Sequence, residues 1–196
     1  MTDLPLRLRA VPAWPRYALA ALLQLGAVAW MVAGQAAILR GGVEVTLATA
    51  PVDPRDFLRG DYVVLRYAVS TLDPSKLDAF EPVRGGDVVY VRLAPGADGL
   101  HEARGLTKTP PPADATQPVL RGRVSGRSAC LTREICKSVT VDYGLESYFV
   151  PEGEGRVIER LPMNRLRVVA AVAPDGRARI KRLLVDGAMI YEEPPF

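Results

Sequence analysis

Two hydrophobic periods divide the chain. From Tyr17 to Leu39 the sequence YALAALLQLGAVAWMVAGQAAIL carries no charge, and Gln24 and Gln35 are its only strongly polar residues. That is one bilayer's worth of helix, since roughly 20 residues rising about 1.5 Å each cross the hydrocarbon. After Gly41-Gly42 the pattern changes to alternation. Segments 43–50, 62–70, 87–94, 118–126, 137–143, 166–173 and 177–185 are short, rich in Val, Leu or Tyr and bounded by Gly, Pro or Asp, which predicts strands. The chain therefore reads as mainly β: a mostly antiparallel β domain with short helices, preceded by one N-terminal transmembrane helix. The expected divisions are a cytoplasmic segment 1–16, an anchor 17–39 and an exported β-rich domain 43–196.

Between the strands the turn chemistry is local. Ala173-Pro174-Asp175-Gly176-Arg177 predicts a tight hairpin, and Val185-Asp186-Gly187-Ala188 another turn before the apolar pair Met189-Ile190. Helical pieces are expected at Pro74–Phe80 and at Gly155–Leu161, where Val157, Ile158 and Leu161 share a face. The proline-rich stretch TKTPPPADATQP (107–118) cannot form regular sheet, because its prolines lack ladder donors. Arg-Gly-(Gly)-Asp followed by Val-Val occurs in both 57–67 and 82–93, which suggests two strands entered through similar turns.

Charge changes the picture only at the N-terminus. Of 25 basic and 22 acidic residues, Arg7, Arg9, Arg16, Arg40 and Asp3 lie in the first 40 positions, so 41–196 holds 21 of each sign. A neutral domain without a long basic run argues against nucleic acid as a partner. Arg7, Arg9 and Arg16 precede the apolar stretch and only Arg40 closely follows it. By the positive-inside rule this keeps the N-terminus in the cytoplasm and exports the rest. Trp14 and Tyr17 stand where an interfacial aromatic belt would be. A cleaved signal peptide is the competing reading; its apolar region is usually about 7 to 15 residues, shorter than this one.

Candidate chemistry is sparse. Cys130 and Cys136 frame CLTREIC between two predicted strands, and in an oxidising compartment they are expected to pair. A redox-active pair or a zinc site would need other spacings and, for zinc, more ligands than the sole histidine, His101, provides. No metal or other cofactor is implied. Asp53, Asp56 and Asp61 alternate with Arg55 and Arg59, so local ion pairs account for them better than a cation site. A triad would have to use His101, and no Gly-x-Ser-x-Gly elbow accompanies it.

The string Gly60-Asp61-Tyr62-Val63-Val64-Leu65-Arg66-Tyr67 fits Gly-Asp-Tyr-x-x-Leu-x-Tyr. With APVDPRDFLR before it, DYGLESYFVPEGEG (142–155) and GRARIKRLLVDG (176–187) after it, the chain resembles the bacterial GDYXXLXY protein family over most of 44–188. The resemblance implies a membrane-anchored protein, in some cases linked to a multi-pass membrane protein, and carries over no catalytic residues. The motif positions Gly60, Asp61, Tyr62, Leu65 and Tyr67 are the family's signature here. LRGDYVVLRY and VRGGDVVYVRL are also similar to the Arg-Gly-Asp-x-Val-Val segment of type I signal peptidases, membrane-anchored enzymes with a serine nucleophile and a lysine base. This chain lacks their Ser-Met-x-Pro-Thr segment. On that alternative, a membrane-anchored serine hydrolase, the candidates are Ser70, Ser125, Ser128 and Ser138 with Lys76 or Lys137. The leading expectation is a binding or assembly module. Alternation puts Val63, Leu65, Tyr67 and Val69 on a core face, which leaves Tyr62 and Arg66 on the mixed face as possible partner-binding residues.

Overall fold

The computed structural model describes residues 13–50, 62–96, 98–112, 116–126, 130–149 and 165–194. The chain divides after Gln35 into two units. The first carries most of a single helix, Ala13–Gly41, whose large apolar side chains stand exposed: Trp14, Tyr17, Leu22, Leu25, Trp30 and Met31 among them. The helix is long and apolar enough over Trp14–Gly41 to cross a membrane, and no charge interrupts 17–39. Little of that surface is buried within the protein, which is compatible with a membrane anchor.

The second unit, from Ala36 onward, is mainly β and almost wholly antiparallel, as the alternation predicts. Its first sheet has five strands in the order β13-β12-β11-β1-β3. β1 (Val43–Ala50), β11 (Leu166–Val172) and β12 (Ala178–Val185) form its centre, while β13 (Ala188–Glu192) and β3 (Arg66–Tyr67) are the edges. The second sheet has six strands in the order β4-β9-β8-β6-β7-β5. These are β4 (Thr71–Leu72), β9 (Val139–Asp142), β8 (Val119–Val124), β6 (Val88–Pro95), β7 (His101–Thr107) and β5 (Ala79–Phe80). β5 pairs with β7 in parallel. A third ladder of two short strands joins β2 (Tyr62–Val64) to β10 (Ser147–Phe149). Inward side chains of both large sheets merge in one core: Val45, Leu47, Val168 and Leu183 from the first, Val89, Val91, Leu93, Leu106, Leu120 and Val141 from the second.

The sheets are also linked by main chain. Beside Val119–Arg121, β8 has no β9 partner, because that ladder engages only Arg123 and Val124. The β11–β12 hairpin turn fills the gap: the Arg121 amide donates to the Gly176 carbonyl at 2.8 Å. Gly176 has φ +83°, and a Cβ there would lie 2.8 Å from the Arg121 Cβ and 3.0 Å from its amide nitrogen. The Asp-Gly turn legible in the sequence is thus also a docking point that admits no side chain. At Asp186-Gly187 both residues have positive φ, the tight hairpin form that leads into β13.

Several sequence expectations are corrected. The single strand expected over 62–70 is interrupted: the chain runs β2, then β3, then a 3-10 turn Ala68–Ser70, then β4. Its partners change each time, to β10, β1 and β9 in turn, so a straight ribbon is impossible. Of the one or two helical turns expected at Pro74–Phe80, one 3-10 turn forms, Pro74–Lys76, capped by Asp73. It stops because the Asp78 amide donates to the Arg104 carbonyl and Ala79–Phe80 join β7. β7 was missed because HEARGLT mixes charge with small residues, and β10 and β13 because each is short. The expected piece at Gly155–Leu161 lies outside the described residues.

Substituting Gly176 with Ala is expected to combine backbone strain with a clash against β8, whereas Gly187 has positive φ and open space around it. Gly176→Ala should therefore destabilise the protein by about 1–3 kcal/mol more than Gly187→Ala, read as denaturant midpoints at constant slope.

Candidate functional site

The signature segment is built into the fold through two buried tyrosines. Leu65 and Tyr67 are each 1% exposed and Val69 is buried, while Arg66 and Ala68 face outward. Burial of a tyrosine demands a partner for its hydroxyl. The Tyr67 hydroxyl donates to the Leu145 carbonyl at 2.7 Å, and the Tyr143 hydroxyl donates back to the Val69 carbonyl at 2.7 Å. The two segments are thus cross-braced. Burial, and secondarily the Glu146 charge, push both phenols far above their ordinary range, so they remain protonated donors.

Glu146 completes the brace. Its carboxylate accepts from the Tyr143 amide at 2.6 Å and the Gly144 amide at 2.7 Å, and its carbonyl accepts from the Leu65 amide at 2.7 Å. Gly144 supplies the positive φ, +76°, that curls the chain around this carboxylate. On the other side, the Tyr67 amide donates to the Ser70 hydroxyl oxygen at 3.3 Å, which closes the 3-10 turn Ala68–Ser70.

That turn forms one wall of an open cleft of about 300 Å³. Ala48, Val69, Leu72 and Leu77 meet His101 and Ala103 across it, with Asp73, Lys76, Asp98 and Glu102 among its polar residues. His101 opens β7 and is tied across the sheets: its Nδ1 accepts from the Thr46 amide of β1 at 3.1 Å. A backbone amide can only donate, so Nδ1 carries the lone pair and the proton of the neutral ring sits on Nε2. Burial lowers the pKa of the ring, which keeps this neutral tautomer at neutral pH. Nε2–H has no hydrogen-bond partner among the described residues.

This tautomer limits the chemistry. A catalytic histidine of a triad must donate from one nitrogen to a carboxylate and receive the serine proton on the other. Here the receiving nitrogen is spent on Thr46. Of the serine candidates, Ser70 is buried with its hydroxyl oxygen accepting from the Tyr67 amide, Ser125 is half-buried and Ser138 exposed, and Ser128 lies outside the described residues. Lys76 lies 3.8 Å from Asp73 and Lys137 is exposed. No group of three or more His, Cys, Asp or Glu side chains among the described residues is arranged to hold a metal.

Of the remaining sequence candidates, Gly60 and Asp61 lie outside the described residues. Tyr62 is placed by its backbone, opposite Phe149 in the β2–β10 ladder. Arg66 is exposed on the edge strand β3. Cys130 and Cys136 are disulfide-bonded, with Cα atoms 5.3 Å apart. Cys130 exchanges two backbone hydrogen bonds with Val83, each 2.8 Å, and the Arg133 guanidinium reaches the Asp78 carbonyl and the Phe80 ring. Sequence reasoning missed Tyr143, Glu146 and the cleft, although DYGLES stood out as a string. What it lacked was any way to see which carbonyls the tyrosines reach.

Two measurements follow. Tyr67→Phe and Tyr143→Phe each remove one buried donor and should each cost about 1–3 kcal/mol, and the double variant less than the sum, because the brace is shared. Folded His101 takes up a proton less readily than its ordinary pKa of 6.5, so the unfolded chain binds more protons below that pH. Its stabilising contribution is full above about pH 6.5 and is lost as pH falls toward the lower folded value. Melting temperature should decline between about pH 7 and 5, above the carboxylate range, and His101→Gln should flatten that part of the curve.

The family model described as GDYXXLXY protein matches residues 24–183. No curated protein and no solved structure matches the chain. The matched region spans the last part of the apolar helix, the braced signature segment, the cleft and the disulfide, and the chain belongs to the GDYXXLXY protein family.

Proposed function

We propose that this protein is a single-pass inner-membrane protein with its N-terminus in the cytoplasm and its β domain in the periplasm, acting as a binding or assembly module. The observation that carries the reading is the helix Ala13–Gly41, whose large apolar side chains are exposed and which is followed by a domain closed by a disulfide. Bilayer lipid is the surrounding that suits such a helix, and an oxidising compartment is the one that suits such a bond. The excess of Arg7, Arg9 and Arg16 over Arg40 sets the direction.

A partner surface on the domain is the second part of the proposal. Arg66 projects from an edge strand and makes no ion pair among the described residues, and Tyr62 stands four residues before it, on β2. Edge strands with unpaired backbone groups are natural places for another chain to dock. A multi-pass protein of the same membrane fits a module tethered this close to the bilayer.

Topology is testable with paired reporters. An alkaline phosphatase fusion after Gly99 should be active and a reporter that fluoresces only in the cytoplasm should be dark at the same position; the opposite pair of results overturns the proposal. Protein alkylated without reduction should show Cys130 and Cys136 protected. Arg66→Ala and Tyr62→Ala should leave the melting temperature nearly unchanged and reduce crosslinked capture of the membrane partner, whereas unchanged capture by both variants removes this face from the interaction.

A further inference from the structure

The cleft beside His101 has a composition that selects a ligand chemistry. Its walls are aliphatic at Ala48 of β1, Val69 of the braced turn, Leu72 of β4, Leu77 after the Pro74–Lys76 turn and Ala103 of β7. Among its polar residues is His101, whose Nε2–H has no hydrogen-bond partner among the described residues and is fixed as a donor because Nδ1 accepts from the Thr46 amide. A ring whose second nitrogen must remain protonated cannot offer that nitrogen to a metal or to a proton; it can only donate to an acceptor. The cleft therefore asks for an acceptor atom attached to an apolar body.

Charge decides which acceptor. Three carboxylates line the cleft, Asp73, Asp98 and Glu102, against one ammonium, Lys76. Asp73 accepts from the Ser75 amide and hydroxyl and stands 3.8 Å from Lys76. Glu102 is held by Arg104 at 3.0 Å. Once these pairs are balanced, the charge of Asp98 is left over, and the histidine is neutral. A carboxylate ligand would enter against that surplus, whereas an uncharged carbonyl would not. About 300 Å³ is at the small end for ligand pockets, so the body is a short aliphatic chain.

We propose that this cleft binds a small uncharged aliphatic amide whose carbonyl oxygen accepts from Nε2–H of His101, and that it discriminates against the corresponding carboxylate. The assignment deepens the reading of the domain as a binding module by giving it a ligand class. It also links the signature to the site, since the cross-brace of Tyr67 and Tyr143 holds the Ala68–Ser70 wall.

His101 is the only histidine in the chain, so its ring gives one set of nitrogen resonances in the full-length protein in lipid nanodiscs with labelled histidine. Titration with 4-methylpentanamide should shift the Nε2 resonance saturably, and 4-methylpentanoate should bind ~tenfold or more weakly. Ala48→Leu, which places bulk in the cleft, should abolish the amide response while the free protein keeps its unprotonated Nδ1. Absence of a saturable shift with the amide, equal binding of the carboxylate, or an undiminished response in Ala48→Leu would each overturn the assignment. The topology reporters do not depend on this resonance, so failure of the ligand assignment and failure of the membrane reading are separately visible.

Discussion

The cross-brace between Tyr67 and Tyr143 is the contact on which the rest of the domain depends. Between Tyr62 and Leu72 the chain pairs first with β10, then with β1, then with β9, and so passes through all three sheets within eleven residues. Such a seam has few ladder bonds in any one sheet and cannot be held by ladder bonds alone. The two phenolic hydroxyls and the Glu146 carboxylate supply what the ladders lack, by tying the Leu145 and Val69 carbonyls and the Tyr143 and Gly144 amides. Leu65 and Tyr67 add the apolar burial that makes the seam part of the core.

The seam gives the signature string a structural part. Its fixed leucine and second tyrosine are structural positions, because each is nearly inaccessible. What they position is the turn at Ala68–Ser70, and through it one side of the cleft. The opposite side is set by another link between sheets, the Thr46 amide on the His101 ring. A polar contact that stabilises the join between two sheets thus also fixes which nitrogen of His101 carries the proton.

The disulfide plays a different part. It closes a loop whose base is already fixed by the paired Val83 and Cys130 backbones and whose middle is fixed by Arg133 on Asp78 and Phe80. In the chain-entropy picture so short a loop adds only about 2–3 kcal/mol.

Much of this was legible in the residues themselves. The uncharged stretch from Tyr17 to Leu39 predicted a helix long and apolar enough to cross a membrane, because length and the absence of charge are enough for that. Alternation located β1, β6, β8, β9, β11 and β12 closely, and Asp-Gly at 175–176 and 186–187 located two turns, since these depend on period and backbone freedom. The signature string was visible as a string. Tertiary structure alone decided that the strand expected at 62–70 is broken to serve three sheets, that HEARGLT is a strand, and that Tyr143 and Glu146 belong to the same unit as Tyr67. The tautomer of His101 was likewise invisible, because it is set by an amide 55 residues away in sequence. Period and turn chemistry are properties of neighbours along the chain. The brace, the cleft and the protonation of its histidine come from residues that meet only when the sheets close on one another.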